Sequence, residues 1–303
     1  MTGWRGWLVR LPLALGLAAC TASPTATSPN NSPAPSKSAA SAIAKPPPGP
    51  PKINGVTWVT QSTVRGEIAA SVAILGNGSA ALWLNPRVLK FRFIPGVQYP
   101  ENSPLLPADT KPSTWVGQFV AAFNGGYKLS DRVGGYFYAN TTVQRLQNGY
   151  ASLVISKQGS MAVGVWGRDF SSTTGLVAVR QNLTPLVVDG RSMAKVTDGI
   201  RTWGIPARNQ VYVNRSALGQ LIDGSLVYVF LHNGRAYDLG RELVHLGVRT
   251  AINLDMNGGW PAAFTYSHSG GKVSGRRISS AVFHGPDIYY DRPLKDFVVA
   301  LPR

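Results

Sequence analysis

A single cysteine, fourteen acidic side chains and four histidines are what this chain of 303 residues is short of. Each shortage excludes something. One cysteine rules out a disulfide framework and a cysteine-rich zinc site. The histidines, His232, His245, His268 and His284, show no His-x-x-x-His or carboxylate-spaced pairing. No transition-metal site is predicted from them. No Gly-x-Ser-x-Gly elbow occurs, which argues against a Ser-His-Asp hydrolase. No cofactor is predicted, and the sequence leaves open whether a divalent ion takes part. No repeat period appears. The acids are also unevenly placed. None precedes Glu67; residues 1–52 carry five basic side chains alone, and residues 53–303 carry 25 basic against 14 acidic side chains, a balance of +11. Such a surface suits nucleic acid, anionic lipid or a phosphate-rich polymer, and exported proteins are often basic with no anionic partner at all.

What is present begins with an export signal. Arg5 and Arg10 precede the apolar, small-residue stretch Leu11 to Ala19, too short to span a bilayer. It ends in Leu17-Ala18-Ala19-Cys20, which resembles the bacterial lipobox. The resemblance implies a signal peptide over 1–19 and lipidation of Cys20, anchoring the protein to the outer face of the cell membrane. Residues 20–52 are almost all Ser, Thr, Ala, Pro and Asn, ending in Lys45-Pro46-Pro47-Pro48-Gly49-Pro50-Pro51. They bury little apolar area, and their prolines stiffen them, so a disordered tether within the cell-wall layer is expected.

From residue 53 to 303 the chain reads as short strands broken by glycine turns. Ile68–Leu75 and Ala80–Leu84 flank Gly76-Asn77-Gly78-Ser79, and Ser152–Ser156 and Met161–Trp166 flank Lys157-Gln158-Gly159-Ser160, two hairpin signals. Further strands are expected at Val88–Ile94, Leu176–Arg180, Leu186–Val188, Val211–Val213, Leu226–Leu231 and Thr250–Leu254. Two helices are expected. One runs Trp115–Ala122 behind Ser113 or Thr114. The other is capped by Asp238, with Leu239, Leu243 and Leu246 on one face and Gly247 as its stop. The predicted fold is α+β: a single β-rich domain with a mixed or antiparallel sheet and a few packed helices.

Three segments, in order, carry a resemblance: Phe123-Asn124-Gly125-Gly126-Tyr127; Pro185-Leu186-Val187-Val188-Asp189-Gly190 followed by Arg215-Ser216-Ala217-Leu218-Gly219; and the Asp238 helix followed by Ala251-Ile252-Asn253-Leu254-Asp255 and Asn257-Gly258-Gly259. This order resembles the phosphodiester glycosidase family, over about Val56 to Arg303. Each motif is short; their order gives the signal its weight. The resemblance implies a hydrolase acting on a sugar-1-phosphodiester, with a phosphate-bearing glycan as partner. The family follows its aspartate with a run of glycines and serine, whereas Asp255 is followed by Met256-Asn257-Gly258-Gly259-Trp260. Where the family has Arg-Thr, this chain has Arg215-Ser216, which keeps the hydroxyl.

Such a substrate breaks at the anomeric carbon through an oxocarbenium-like transition state, and phosphate leaves readily. A carboxylate is needed near that carbon, as nucleophile or as base for a water. Asp255, at a strand end before a glycine turn, is the first candidate and Asp189 the second; either can equally serve its turn. The backbone at Gly125 and Gly126 can approach a ligand closely, and Asn124 can hydrogen-bond sugar hydroxyls, although a tight turn also needs such residues. Arg215 offers a bidentate fork for phosphate, with Ser216 as a second donor. Asn257 and Gly258 complete the expected substrate-binding set. Trp58, Trp83 and Trp166 read as core; Trp203 and Trp260, in glycine- and proline-rich loops, can stack on a sugar or simply pack.

Three functions compete. The first is an exported, lipid-anchored hydrolase cleaving a glycosyl phosphodiester in a cell-surface glycan. The second, motivated by the Asp255–Trp260 departure, is a catalytically lapsed phosphoglycan-binding lipoprotein of the cell wall. The third, a nucleic-acid binder, rests on charge alone; with an export signal and no recognised motif, nucleic acid is not expected.

Overall fold

The computed structural model describes residues 49–291 and 293–303. The expected signal peptide, Cys20 and most of the tether lie outside the described residues. Eighteen strands follow one another among the described residues: β1 (Val59–Val64), β2 (Glu67–Gly76), β3 (Ser79–Leu84), β4 (Leu89–Ile94), β5 (Ala121–Asn124), β6 (Tyr136–Tyr138), β7 (Thr141–Gln144), β8 (Ala151–Ser156) and β9 (Met161–Val165). Then come β10 (Leu176–Gln181), β11 (Val187–Val188), β12 (Arg191–Ser192), β13 (Val213–Gln220), β14 (Leu226–Gly234), helix α1 (Ala236–His245), β15 (Thr250–Met256), β16 (Ala263–Ser269), β17 (Lys272–Arg277) and β18 (Phe297–Pro302).

They form three sheets. Eight strands run in the order β1-β2-β3-β14-β13-β15-β11-β12; five in the order β17-β16-β5-β18-β4; five in the order β7-β6-β10-β8-β9. Every pairing between these strands is antiparallel.

Residue alternation explains the layering. Along β3, Ala80, Leu82 and Leu84 join the large core shared with the five-stranded sheets, while Ala81 and Trp83 turn to the other face. A central strand buried on both sides therefore reads as an unbroken apolar run. On that second face, Leu239, Leu243 and Leu246 of α1 and its C-terminal turn pack against Ala217, Val229 and Ala251. The helix stops where expected, at Gly247 with φ +81°, a left-handed position that suits glycine. Asp238 sits three residues inside the helix start, its Oδ2 accepting the Arg235 N–H at 2.9 Å.

The other expected helix does not form. Trp115–Ala122 holds a 3-10 turn at Val116–Gln118 and then enters β5. Ala121 and Ala122 pair with Ala300 and Val299 of β18 on one side and with Thr265 and Phe264 of β16 on the other. Small residues between two strands are buried there, and that pairing outweighs the helix propensity of alanine. Among the described residues α1 is the one α-helix, so the domain is mostly β rather than a sheet with a few packed helices. No helix among the described residues is long and apolar enough to cross a membrane.

A candidate active site on the bulged end of strand β15

β5, β13, β15 and the start of β18 meet at one end of the sheets, and a β-bulge decides which side chains meet with them. Between the pairs Ala217↔Asn253 and Arg215↔Met256, β13 advances by two residues and β15 by three. The extra residue falls at Leu254–Asp255. A bulge re-aims the side chains that follow it. Here Asp255 turns toward β5, while Met256 sits across from Arg215 on the opposite face, its Sδ 3.5 Å from Arg215 Nη1.

Asp255 is 5% exposed and held on every side. Its backbone N–H donates to Gly125 O at 2.9 Å, and its carbonyl accepts from Ser216 Oγ at 2.7 Å. Oδ1 accepts the Met256 N–H at 2.8 Å. Oδ2 accepts from Lys295 Nζ in an ion pair. Burial pushes the carboxyl up to about 6, against the opposing pull of the Lys295 ammonium and the Met256 N–H and with a small further push from Asp296.

Asn124 is bound as tightly. Its amide nitrogen donates to Ser216 Oγ at 2.9 Å and to Gly125 O at 3.0 Å; its Oδ1 accepts from Tyr228 OH at 2.7 Å and Ala262 N at 3.0 Å. Ser216 thus links Asn124 to the Asp255 backbone from behind. Gly125 is required by closeness: a Cβ there would lie 2.3 Å from Asp296 Oδ2. Gly126 N–H donates to the same oxygen at 3.2 Å.

Asp296 is 1% exposed, with Arg180 Nε 3.1 Å from its Oδ2. Arg180, also 1% exposed, donates further to the carbonyls of Gln181 and Tyr127. Burial raises the Asp296 carboxyl, opposed by Arg180 and the Gly126 N–H. Its Oδ1 is buried with no hydrogen-bond partner. Asn124, Gly125, Asp255, Lys295 and Asp296 line a cavity of about 170 Å³, walled also by Trp260 and His284. Lys295 Nζ stands 4.3 Å over the Trp260 ring. Burial lowers the His284 imidazole, favouring its neutral form.

The structure therefore brings Asn124, Gly125 and Asp255 to one cavity, with Ser216 and Gly126 just behind it. It does not bring Asp189. That residue occupies the β11–β12 turn at φ +49° with Gly190 at +77°, its side chain 70% exposed and 3.9 Å from Arg168; it is a hairpin-turn aspartate. Arg215 is buried on the other face of β15. Nε donates to Gly234 O at 3.3 Å and Nη1 to Trp203 O at 3.0 Å, and the guanidinium opens on a second cavity of about 230 Å³ with Lys195, Arg235, Trp203 and Tyr237. Asn257, at φ +79°, fastens a neighbouring loop: its Oδ1 accepts the Ala207 N–H at 2.7 Å, and Gly258 O accepts from Asn214 Nδ2 at 3.2 Å. Neither lines the Asp255 cavity.

Sequence reading missed Lys295, Asp296 and Arg180. Lys295-Asp296 directly precede an apolar strand, the same setting that marked Asp255 from the other end, and that was the available signal. Among the described residues no three His, Cys, Asp or Glu side chains gather as a metal site would require.

A family model described as phosphodiester glycosidase matches residues 117–289, a stretch holding Asn124, Arg215 and Asp255 and ending before Lys295. No curated protein matches the chain. Among solved structures, the chain is similar to the catalytic domain of zebrafish N-acetylglucosamine-1-phosphodiester alpha-N-acetylglucosaminidase, auto-inhibited by its pro-peptide, at 16% identity over 86% of this chain and 87% of that one, with a TM-score of 0.46. It is similar also to a hypothetical protein from Synechocystis, at 12% identity over 82% of this chain and 61% of that one, with a TM-score of 0.39.

Proposed function

The chain belongs to the phosphodiester glycosidase family, and from that membership we propose that it is an exported, lipid-anchored hydrolase that cleaves a glycosyl phosphodiester of a cell-surface glycan in the Asp255 cavity. The observation that carries this reading is a buried carboxylate, Asp255, opening beside an ammonium, Lys295, in a cavity with a second carboxylate.

The chemistry divides among these groups. Asp255 faces the anomeric carbon, as nucleophile or as base for a water. Lys295 turns from Asp255 to the departing phosphate as negative charge gathers there, so the ion pair opens as the bond breaks. Asp296 is held by Arg180 and Gly126, and its partnerless Oδ1 accepts a sugar hydroxyl. The Trp260 ring offers a face to the C–H groups of the sugar. The leader and Cys20 support export and anchoring, with the tether linking the domain to its anchor.

A second reading, a glycan-binding protein that has lost turnover, is favoured by one observation: both Asp255 oxygens are engaged, one by Lys295 and one by the Met256 N–H. One experiment separates the two. The full chain is assayed on a panel of glycosyl phosphodiesters, beginning with N-acetylglucosamine-1-phosphodiesters, and compared with Asp255→Asn. Turnover that falls by about 10²–10⁴ in the variant supports the hydrolase. Saturable binding with no turnover by the unaltered chain supports the binding protein and ends the catalytic reading.

A further inference from the structure

Large apolar side chains left in water are scattered over most of this surface, but not in one segment. Six of the thirteen exposed ones among the described residues, Met193, Val196, Ile200, Ile205, Val211 and Tyr212, fall within the twenty residues 193–212. Exposed apolar side chains concentrated in one segment are what an interaction surface draws on. The segment has almost no regular structure, yet it is firmly held. Trp203 is buried, its Nε1 donating to Asp198 Oδ2 at 2.7 Å and its carbonyl accepting from Arg215 and from Tyr127 OH. Asn257 holds the segment again at Ala207. The apolar side chains therefore stay exposed on a fixed frame.

The charges interleaved with them have one sign. Arg191, Lys195, Arg201 and Arg208 lie in or beside the segment, and its sole acid, Asp198, is occupied by Trp203 Nε1 and the Lys195 N–H. Ile200 and Val211 also line the 230 Å³ cavity into which Lys195, Arg215 and Arg235 project. Arg215 is 4% exposed and takes part in no ion pair among the described residues; its donors go to carbonyls and a thioether. Burial disfavours its charge, so an anion at that spot would be strongly favoured. A soluble polyanion would match the cations and leave six apolar side chains unexplained. A bilayer with anionic headgroups matches both: phosphate for the cavity, acyl boundary for the rim.

We infer that residues 193–212 and the Arg215–Arg235 cavity form a docking surface for an anionic phospholipid bilayer, a headgroup phosphate entering the cavity while the apolar rim enters the interface. The contact holds the folded domain against the membrane directly, independently of any anchor at residue 20 and of the reaction at Asp255.

Because Cys20 is the only cysteine, a unique label reports on one point of the surface. The full chain carrying Cys20→Ser is given Ile205→Cys, or Val196→Cys should the first variant misfold, and tagged with a polarity-sensitive fluorophore. A control carries the tag at Ile222→Cys, 78% exposed just beyond the far end of β13. Phosphatidylglycerol vesicles are expected to shift the emission at 205 or 196 to the blue, with no shift at 222 and none with phosphatidylcholine. Lys195→Gln with Arg208→Gln is expected to weaken that response about 25-fold, roughly fivefold per charge. No shift at either position, an equal shift at 222, or an equal shift with inorganic phosphate or dextran sulfate in place of vesicles overturns the proposal, the last two probes pointing to a soluble anion.

Discussion

Two cavities flank the end of β15, and they treat buried charge in opposite ways. On the Asp255 side every described charge is matched: Asp255 with Lys295, Asp296 with Arg180. On the other side Arg215 is buried among carbonyls, with Lys195 and Arg235 beside it; Asp198 on the cavity wall is already engaged, and Asp238 acts on Arg215 without pairing with it. Matched charges in a dry site are costly to separate and fix each other's geometry, as a reaction centre demands. An unmatched cation in an open cavity is a binding site waiting for an anion. The difference comes from one inserted residue. Without the bulge at Leu254–Asp255, Asp255 would face the way Asn253 does, and the two chemistries would share a face.

The contrast breaks first, and most visibly, at the arginines. Arg180→Met strands the Asp296 carboxylate in a place that is 1% exposed, and a loss of about 3–5 kcal/mol is expected. Arg215→Met strands no charge; it takes one donor from the Gly234 carbonyl and leaves the Trp203 carbonyl to Tyr127 OH alone, for about 1–2 kcal/mol. Urea midpoints at unchanged m-values measure both. Equal losses would mean that Arg215 is a structural ion like Arg180 and that the two cavities do not differ in kind.

A smaller effect, on pH dependence, sharpens the matched side. Catalysis needs the charged Asp255, and its carboxyl lies at about 6, so kcat/KM is expected to fall about tenfold per unit as the pH drops below that value. The ammonium of Lys295 favours the charged form. Lys295→Met removes it, and the acid limb should therefore move to higher pH, whatever happens to the plateau. A limb that stays in place, or moves down, would detach Asp255 from the observed ionisation.

How far the sequence foretold this arrangement depends on range. Local signals held: the Gly76–Ser79 hairpin, the Leu239-Leu243-Leu246 stripe and the Gly247 stop each depend on neighbours a few residues away. Ala121-Ala122 misled because a two-alanine run says nothing about the strands that will enclose it from 140 to 180 residues downstream. Asn124, Gly125 and Asp255 were legible as chemistry-bearing residues in glycine-rich strand ends. Lys295 and Asp296 were not, since their place comes from β18 lying beside β5, with Phe297 opposite Asn124. Arg215 carries a fork suited to phosphate, but the bulge that sets its face leaves no mark on the hydrophobic pattern.

The least disruptive substitution tests the choice of carboxylates. Asp189 resembles Asp255 in its sequence setting, an aspartate at the end of an apolar strand with a glycine turn close behind it, and the two part ways once the chain is folded. Its side chain is 70% exposed and its Arg168 contact is 3.9 Å long, the kind of surface pair that contributes little. Its backbone, at φ +49°, is a conformation that asparagine adopts as readily as aspartate. Asp189→Asn is therefore expected to leave stability within about 0.5 kcal/mol and turnover within experimental scatter, while Asp255→Asn, an equally small chemical change, lowers turnover by about 10²–10⁴. A large loss of activity in the Asp189 variant at unchanged stability would show that a carboxylate on the far hairpin takes part in the reaction, and the assignment of both charges to the Asp255 cavity would fail.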